Sequence, residues 1–283
     1  MRPFETTGRR PCSTRAVSSS RSHALALKAN LDALVVHYER PSFIDQDPIS
    51  IPHGFDDPRD QEVIGLYAAL LAWGQRKTVL AKMNSLCERM RFRPYEFVLN
   101  FKQVRDAGRL EGFKHRTFQP VDALWLTSGL SHVLRTHGSI DALFAETVSA
   151  TASTAEEGLN YFGHTLIATT RDSSRRSWKH VARPSSGSAC KRLNMYLRWM
   201  VRPGPVDLGL WKSIRPDQLV LPLDVHSGRT ARSLGLLTRP SNDWKAAIEL
   251  TDRCRLLSPE DPCRYDFVFF GEGAIRGRGK DEG

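Results

Sequence analysis

The chain is 283 residues long and 40% apolar, enough to bury a core as one large domain or two small lobes. Lys and Arg outnumber Asp and Glu by 41 to 31, a net charge of +10, the sign expected of a protein that handles a polyanion. No apolar run approaches the roughly 18 residues of a membrane span, and five scattered cysteines without a CxxC pair argue against a zinc or iron–sulfur site.

Taken in chain order, residues 1–22 are rich in Arg and Ser, carry the single acid Glu5 and lack an apolar h-region. An organelle transit peptide shares that composition, but a disordered basic tail is the favoured reading. From His23 the period is helical, with Leu25, Leu27, Leu31, Leu34 and Val35 first. After a turn-rich segment comes EVIGLYAALLAWGQRKTVLAKMNSLCERM, with Val63, Leu66, Tyr67, Leu70 and Leu71 at three-and-four spacing. VDALWLTSGLSHVLRTHG and SIDALFAETVSA predict two more helices, the second with Ser139 as N-cap. The stretch from about Arg171 to Ser188 is polar and basic, which predicts a loop. Its Arg171, Arg175, Arg176 and Lys179 are either contacts for a polyanion backbone or ordinary solvated charges. LVLPL is the one strand candidate, and DWKAAIELTDRCRLL predicts the last helix. The fold class is mostly α.

Two stretches carry chemistry. In GSACKRLNMYLRWMVR, Leu193, Tyr196, Leu197, Met200 and Val201 form one apolar stripe, so a helix starts close to Lys191. Gly187, Ser188 and Ala189 before it make a tight turn whose backbone amides point at a phosphate. A lysine in a first helical turn opposes the macrodipole; it is either exposed and tolerated or has its pKa pushed down for nucleophilic use. In LPLDVHSGRTARSLGLL, Asp224 stands in an apolar run where a helix should start, and an N-cap is the plain reading. His226, Arg229 and Arg232 follow in the first turns, and with Arg192 they are candidate phosphate contacts.

GSACK and PLDVH together resemble the helix-hairpin-helix DNA glycosylase superfamily, in which a hairpin of the form G-x-G-x-K carries a lysine and P-x-D-x-H an assisting aspartate. From about Gly187 to Gly271, including DLGLW and NDWKAA…YDFVFFGEG, the chain looks closest to the archaeal 8-oxoguanine glycosylase branch. The whole chain also resembles an uncharacterised bacterial family that carries a domain-of-unknown-function label. Ala189 replaces the hairpin's second glycine, and there is no iron–sulfur cysteine cluster. LLAWGQRKT is weakly similar to the superfamily's LSQQT-type helix, which brings Gln75 into play for a base pocket, with Trp199.

The resemblance implies a two-lobed helical domain over 23–283, with the hairpin and catalytic segment at 184–235. It implies Lys191 as the amine that attacks C1′ of a damaged nucleoside, and Asp224 as the carboxylate that stabilises the oxocarbenium-like sugar or deprotonates the lysine. Gly187, Ser188, Ala189, Arg192, His226 and Arg229 would contact DNA. The partner implied is double-stranded DNA with an oxidised, 8-oxoguanine-like base, bound by a monomer in the cytoplasm, nucleoid-associated at most. It calls for no metal and no cofactor beyond a monovalent cation at the hairpin. Trp73, Trp125, Trp199, Trp211 and Trp244 supply either a stacking platform for an extruded base or plain core. The competing function is a non-catalytic hairpin protein that binds DNA or RNA backbone.

Overall fold

The computed structural model describes residues 14–169 and 175–271. Among them there is no strand, only isolated bridges between single residues. Helix α1 (Thr14–Tyr38) opens inside the stretch expected as a tail, and residues 1–13 lie outside the described residues. No described helix is long and apolar enough to cross a membrane.

The long apolar stretch forms two helices rather than one. Helix α3 (Pro58–Leu71) ends before Gly74, whose φ of +100° no ordinary side chain tolerates, and α4 (Arg76–Arg89) begins beyond it. Every residue of α3 from Glu62 to Leu71 is buried, the pattern of a central helix covered on all sides. Helices α2 (Ser50–His53) and α5 (Pro94–Leu99) pack on it; α7 (Pro120–His137) packs on α5 and is itself covered by α6 (Gln103–Leu110), α8 (Ile140–Thr147) and α9 (Glu156–Thr169). Ser139 caps α8 by accepting from the Ala142 amide at 2.9 Å, as the sequence predicts.

Glu62 binds three segments together. Its buried carboxylate accepts from the amides of Ile140 and Asp141 at the start of α8 and from Trp211 Nε1 at 2.8 Å. Burial pushes its pKa up against those three donors.

Helix α10 (Lys191–Val201) packs on α3, with all five residues of its expected stripe buried. The approach is close: a Cβ on Gly65 would come within 2.9 Å of Met200 Cε. Helix α12 (Trp244–Leu257) packs against α1, and its N-cap is Asp243, which accepts from the Ala246 amide at 2.9 Å. The buried side chains make one connected cluster from Leu31 to Phe269 rather than two separate cores.

LVLPL is not a strand. Residues 219–223 are buried but have no partner strand, and the Leu221 amide donates instead to Thr251 Oγ1 at 3.0 Å. The basic stretch is not a plain loop either. Arg171 lies outside the described residues, but Arg175–His180 forms a 3-10 turn docked on α7. Ser177 donates to Asp122 at 2.6 Å, and Arg176 reaches the same carboxylate at 3.1 Å, which holds that arginine against the protein.

Candidate active site

The segment expected as the hairpin is a turn with two left-handed residues between the 3-10 turn Pro184–Ser186 and α10. Gly187 has φ +79° and accepts from the Trp244 amide at 3.0 Å, and Ser188 bridges Asp243. Cys190, with φ +50°, stands at the N-cap of α10 without a side-chain cap. Two hairpin amides are already used inside the chain: Gly187 donates to the Pro184 carbonyl at 2.7 Å and Cys190 to Ser188 Oγ at 3.2 Å. The methyl of Ala189, in place of the second glycine, joins the core at 7% exposure, and its carbonyl accepts from Asn194 at 3.0 Å.

Helix α11 (Val225–Ser233) brings in the carboxylate. Asp224 is its N-cap: Oδ1 accepts from the amides of His226 and Ser227, each at 2.9 Å, while Ser227 Oγ accepts from the Asp224 amide at 2.8 Å. The other oxygen, Oδ2, faces Lys191 Nζ at 3.9 Å. The ammonium also lies 3.8 Å from Met195 Sδ, one turn along α10. Lys191 and Asp224, distant in sequence, therefore meet at one point, both partly open to solvent.

That point joins two cavities. A cleft of about 360 Å³ runs from Lys191, Asp224 and Val225 over the hairpin to Leu70, His180 and Arg192. Behind it, about 30 Å³ of space is lined by Phe43, Asp47, Met195, Arg198, Trp199, Asp266 and Phe270, with Lys191 and Asp224 at its mouth. A cavity of similar size to the cleft, about 420 Å³ between α4, α5 and α6, carries no residue of the hairpin.

Two carboxylates lining the small space, Asp266 and Asp47, are held above their ordinary pKa. Burial pushes the Asp266 carboxyl up to about 6, opposed by Arg198 and Lys191 and reinforced by Asp224 and Asp207. Burial likewise raises Asp47, against the Ile49 amide and Arg198. Arg198 is the counter-charge at the centre: it bonds Asp266 closely, reaches Asp207 at 3.3 Å and lies 4.3 Å from the Phe267 ring centroid.

The remaining expected residues divide. Trp199 is fully buried and lines the small space, so it is both core and site wall. Gln75 is exposed at the start of α4 and lines neither cavity. His226 and Arg229 are exposed on α11. Arg192 is half-buried inside the cleft, donating to the Leu70 carbonyl at 2.6 Å, instead of standing on an outer surface. Arg232 donates to the Arg239 carbonyl at 2.8 Å and to Asn242 at 2.7 Å, so it ties down a loop. Trp125, Trp211 and Trp244 are core; Trp73, at the end of α3, is partly exposed.

Sequence reasoning missed Asp47, Arg198 and Asp266. Two of them left a signal. Arg198 follows Lys191 and Met195 at helical spacing, so the three share one face of α10. Asp266 interrupts the apolar run YDFVFF, as Asp224 interrupts its own.

Among the described residues no group of His, Cys, Asp and Glu side chains is arranged to hold a metal ion. The four described cysteines are all buried, and burial raises every one of their thiols. No curated protein and no solved structure matches the chain. Residues 47–275, which span the site from Asp47 to Asp266, match DUF2400, a family described as proteins of unknown function. By that match over most of its length, the chain belongs to the DUF2400 family.

Proposed function

We propose that the protein is a helix-hairpin-helix DNA glycosylase with lyase activity, acting on an oxidised, 8-oxoguanine-like base. The observation that carries this reading is the approach of Lys191 Nζ to Asp224 Oδ2 at the junction of two cavities, on a lysine that begins a helix. The charge of +10 supports a polyanionic partner.

In the proposed reaction, Asp224 takes a proton from Lys191, and the neutral amine forms a bond to C1′ of the damaged nucleoside. The N-glycosidic bond breaks and its electron pair leaves with the base, which takes the proton that Asp224 removed from Lys191 and so restores the carboxylate. Ring opening leaves a Schiff base between Nζ and C1′, and loss of a C2′ proton then breaks the C3′–O bond. Asp224 suits the oxocarbenium-like stage because Oδ1 is fixed by two amides, which aims Oδ2 at the site, so little reorganisation accompanies charge development. A separation of 3.9 Å is longer than a hydrogen bond, and such pairs commonly tighten when substrate arrives. The nucleoside enters through the 360 Å³ cleft; the 30 Å³ space holds little more than a water, so a base occupies it only after Phe43, Met195 or Phe270 moves.

Borohydride trapping tests the reading. Labelled duplexes carrying 8-oxoguanine, an abasic site or no lesion are incubated with the protein and with Lys191→Ala. A covalent complex on the 8-oxoguanine duplex, lost in the variant, is the expected result. Trapping on the abasic duplex alone would keep the lyase and remove the proposed lesion. Salt-sensitive binding to all three duplexes without trapping would leave a hairpin nucleic-acid binding protein and end the enzyme reading.

A further inference from the structure

The 360 Å³ cleft does not end at His180 and Arg192. Those two residues also line a second arm of about 350 Å³, with Trp73, Thr117 and Lys179. None of the five is acidic, and all five carry a donor.

Arg192 is the unusual member. The two most deeply buried arginines are surrounded by carboxylates: Arg198 has Asp207 and Asp266, and Arg202 has Glu39, Asp207 and Asp261. Arg192 has no salt bridge among the described residues, only the Leu70 carbonyl on one nitrogen. Burial alone holds its pKa below the usual arginine value. A guanidinium taken from water without a counter-charge is costly, and an arriving anion recovers that cost.

The neighbouring charges do not supply one. Asp122, the acid beside His180 at 3.3 Å, is already occupied by Arg176, Ser177 and the Gln119 amide. Burial, with Arg192 and Lys179, keeps His180 below its ordinary pKa, so its ring adds no charge at neutral pH. Trp73 also lines the arm, and its buried indole N–H has no hydrogen-bond partner among the described residues. Its ring is held by Arg116, 5.2 Å from the centroid, and by the edge of His115.

We propose that this second arm is a phosphate subsite, in which Arg192 and Lys179 bind the phosphodiester next to the nucleotide held at Lys191, with the Trp73 indole beside it as a reporter. The identity of that phosphate rests on the glycosylase reading; the anion site itself rests on the cavity and its unpaired arginine.

The test is an NMR titration that follows the Trp73 indole N–H, assigned with Trp73→Phe. The probes are inorganic phosphate, the dinucleotide thymidylyl-thymidine and uncharged thymidine. The expected result is a saturable shift with the dinucleotide, weaker with inorganic phosphate and absent with thymidine. Arg192→Met should lower dinucleotide affinity by on the order of ten-fold or more, with partial rescue by Arg192→Lys. Because Arg192 also bonds α3, Lys179→Gln provides a second variant at an exposed position, with a smaller loss expected. An unmoved indole signal, or full affinity in both Arg192→Met and Lys179→Gln, overturns the subsite. Tighter binding of inorganic phosphate than of the dinucleotide overturns the phosphodiester assignment. Failure of trapping with an intact Trp73 response removes the lyase chemistry and leaves this site standing; trapping with no Trp73 response does the reverse.

Discussion

Asp224 divides its two oxygens between two tasks: Oδ1 holds the first amides of α11, and Oδ2 faces Lys191 at 3.9 Å. A capping carboxylate cannot swing freely, so the cap aims the second oxygen. Structural and chemical roles therefore coincide in one side chain, and substitution can separate them.

Asp224→Asn keeps a carbonyl oxygen for the His226 and Ser227 amides and loses only the charge. Unfolding free energy should change by under about 1 kcal/mol, because Asn and Asp cap about equally well, while Asp224→Ala should lose about 1 kcal/mol. Trapping rates should fall on the order of a hundred-fold in both variants if the carboxylate acts on Lys191. A normal rate in the Asn variant would reduce Asp224 to a cap.

Arg198→Met should be the most damaging single change near the site. The guanidinium is almost fully buried between Asp207 and Asp266, and its loss leaves Asp266 buried without its partner and Asp207 with Arg202 alone. A loss of about 3–5 kcal/mol is expected, read from denaturant midpoints at pH 7. A loss below about 1 kcal/mol would mean that the two aspartates find other partners.

The raised Asp266 carboxyl sets a pH window. Its folded pKa of about 6 lies above the unfolded value of 3.8, so the folded state binds the proton more tightly. Its stabilising contribution is thus complete below 3.8 and lost as pH rises through about 6. The difference corresponds to roughly 3 kcal/mol, at 1.4 kcal/mol for each pH unit. Asp266→Asn should flatten the decline in unfolding free energy between pH 4 and 6, whatever it does to overall stability. An unchanged slope would assign the proton to another group, with Asp47 the next candidate.

What could be read from sequence was local. The stripe of α10, the Ser139 cap and the Asp224 cap are encoded within a few residues, since helical period and capping chemistry depend only on near neighbours. The hairpin lysine and its aspartate were visible for the same reason, as two short motifs. Other features depended on contacts between segments far apart in the chain. LVLPL has strand composition but no partner strand, so its backbone turned to Thr251. Arg192 and Arg232 look like surface cations in sequence, yet the approach of α10 to α3 and of α11 to residues 239–242 drew both inward. Gln75 went the other way, because the break at Gly74 left it exposed at the start of α4. The convergence of Asp47, Arg198 and Asp266 on Lys191 belongs to packing alone. Their pKa shifts come from summed desolvation and opposed charges, which exist only once distant segments have excluded water from the same small space.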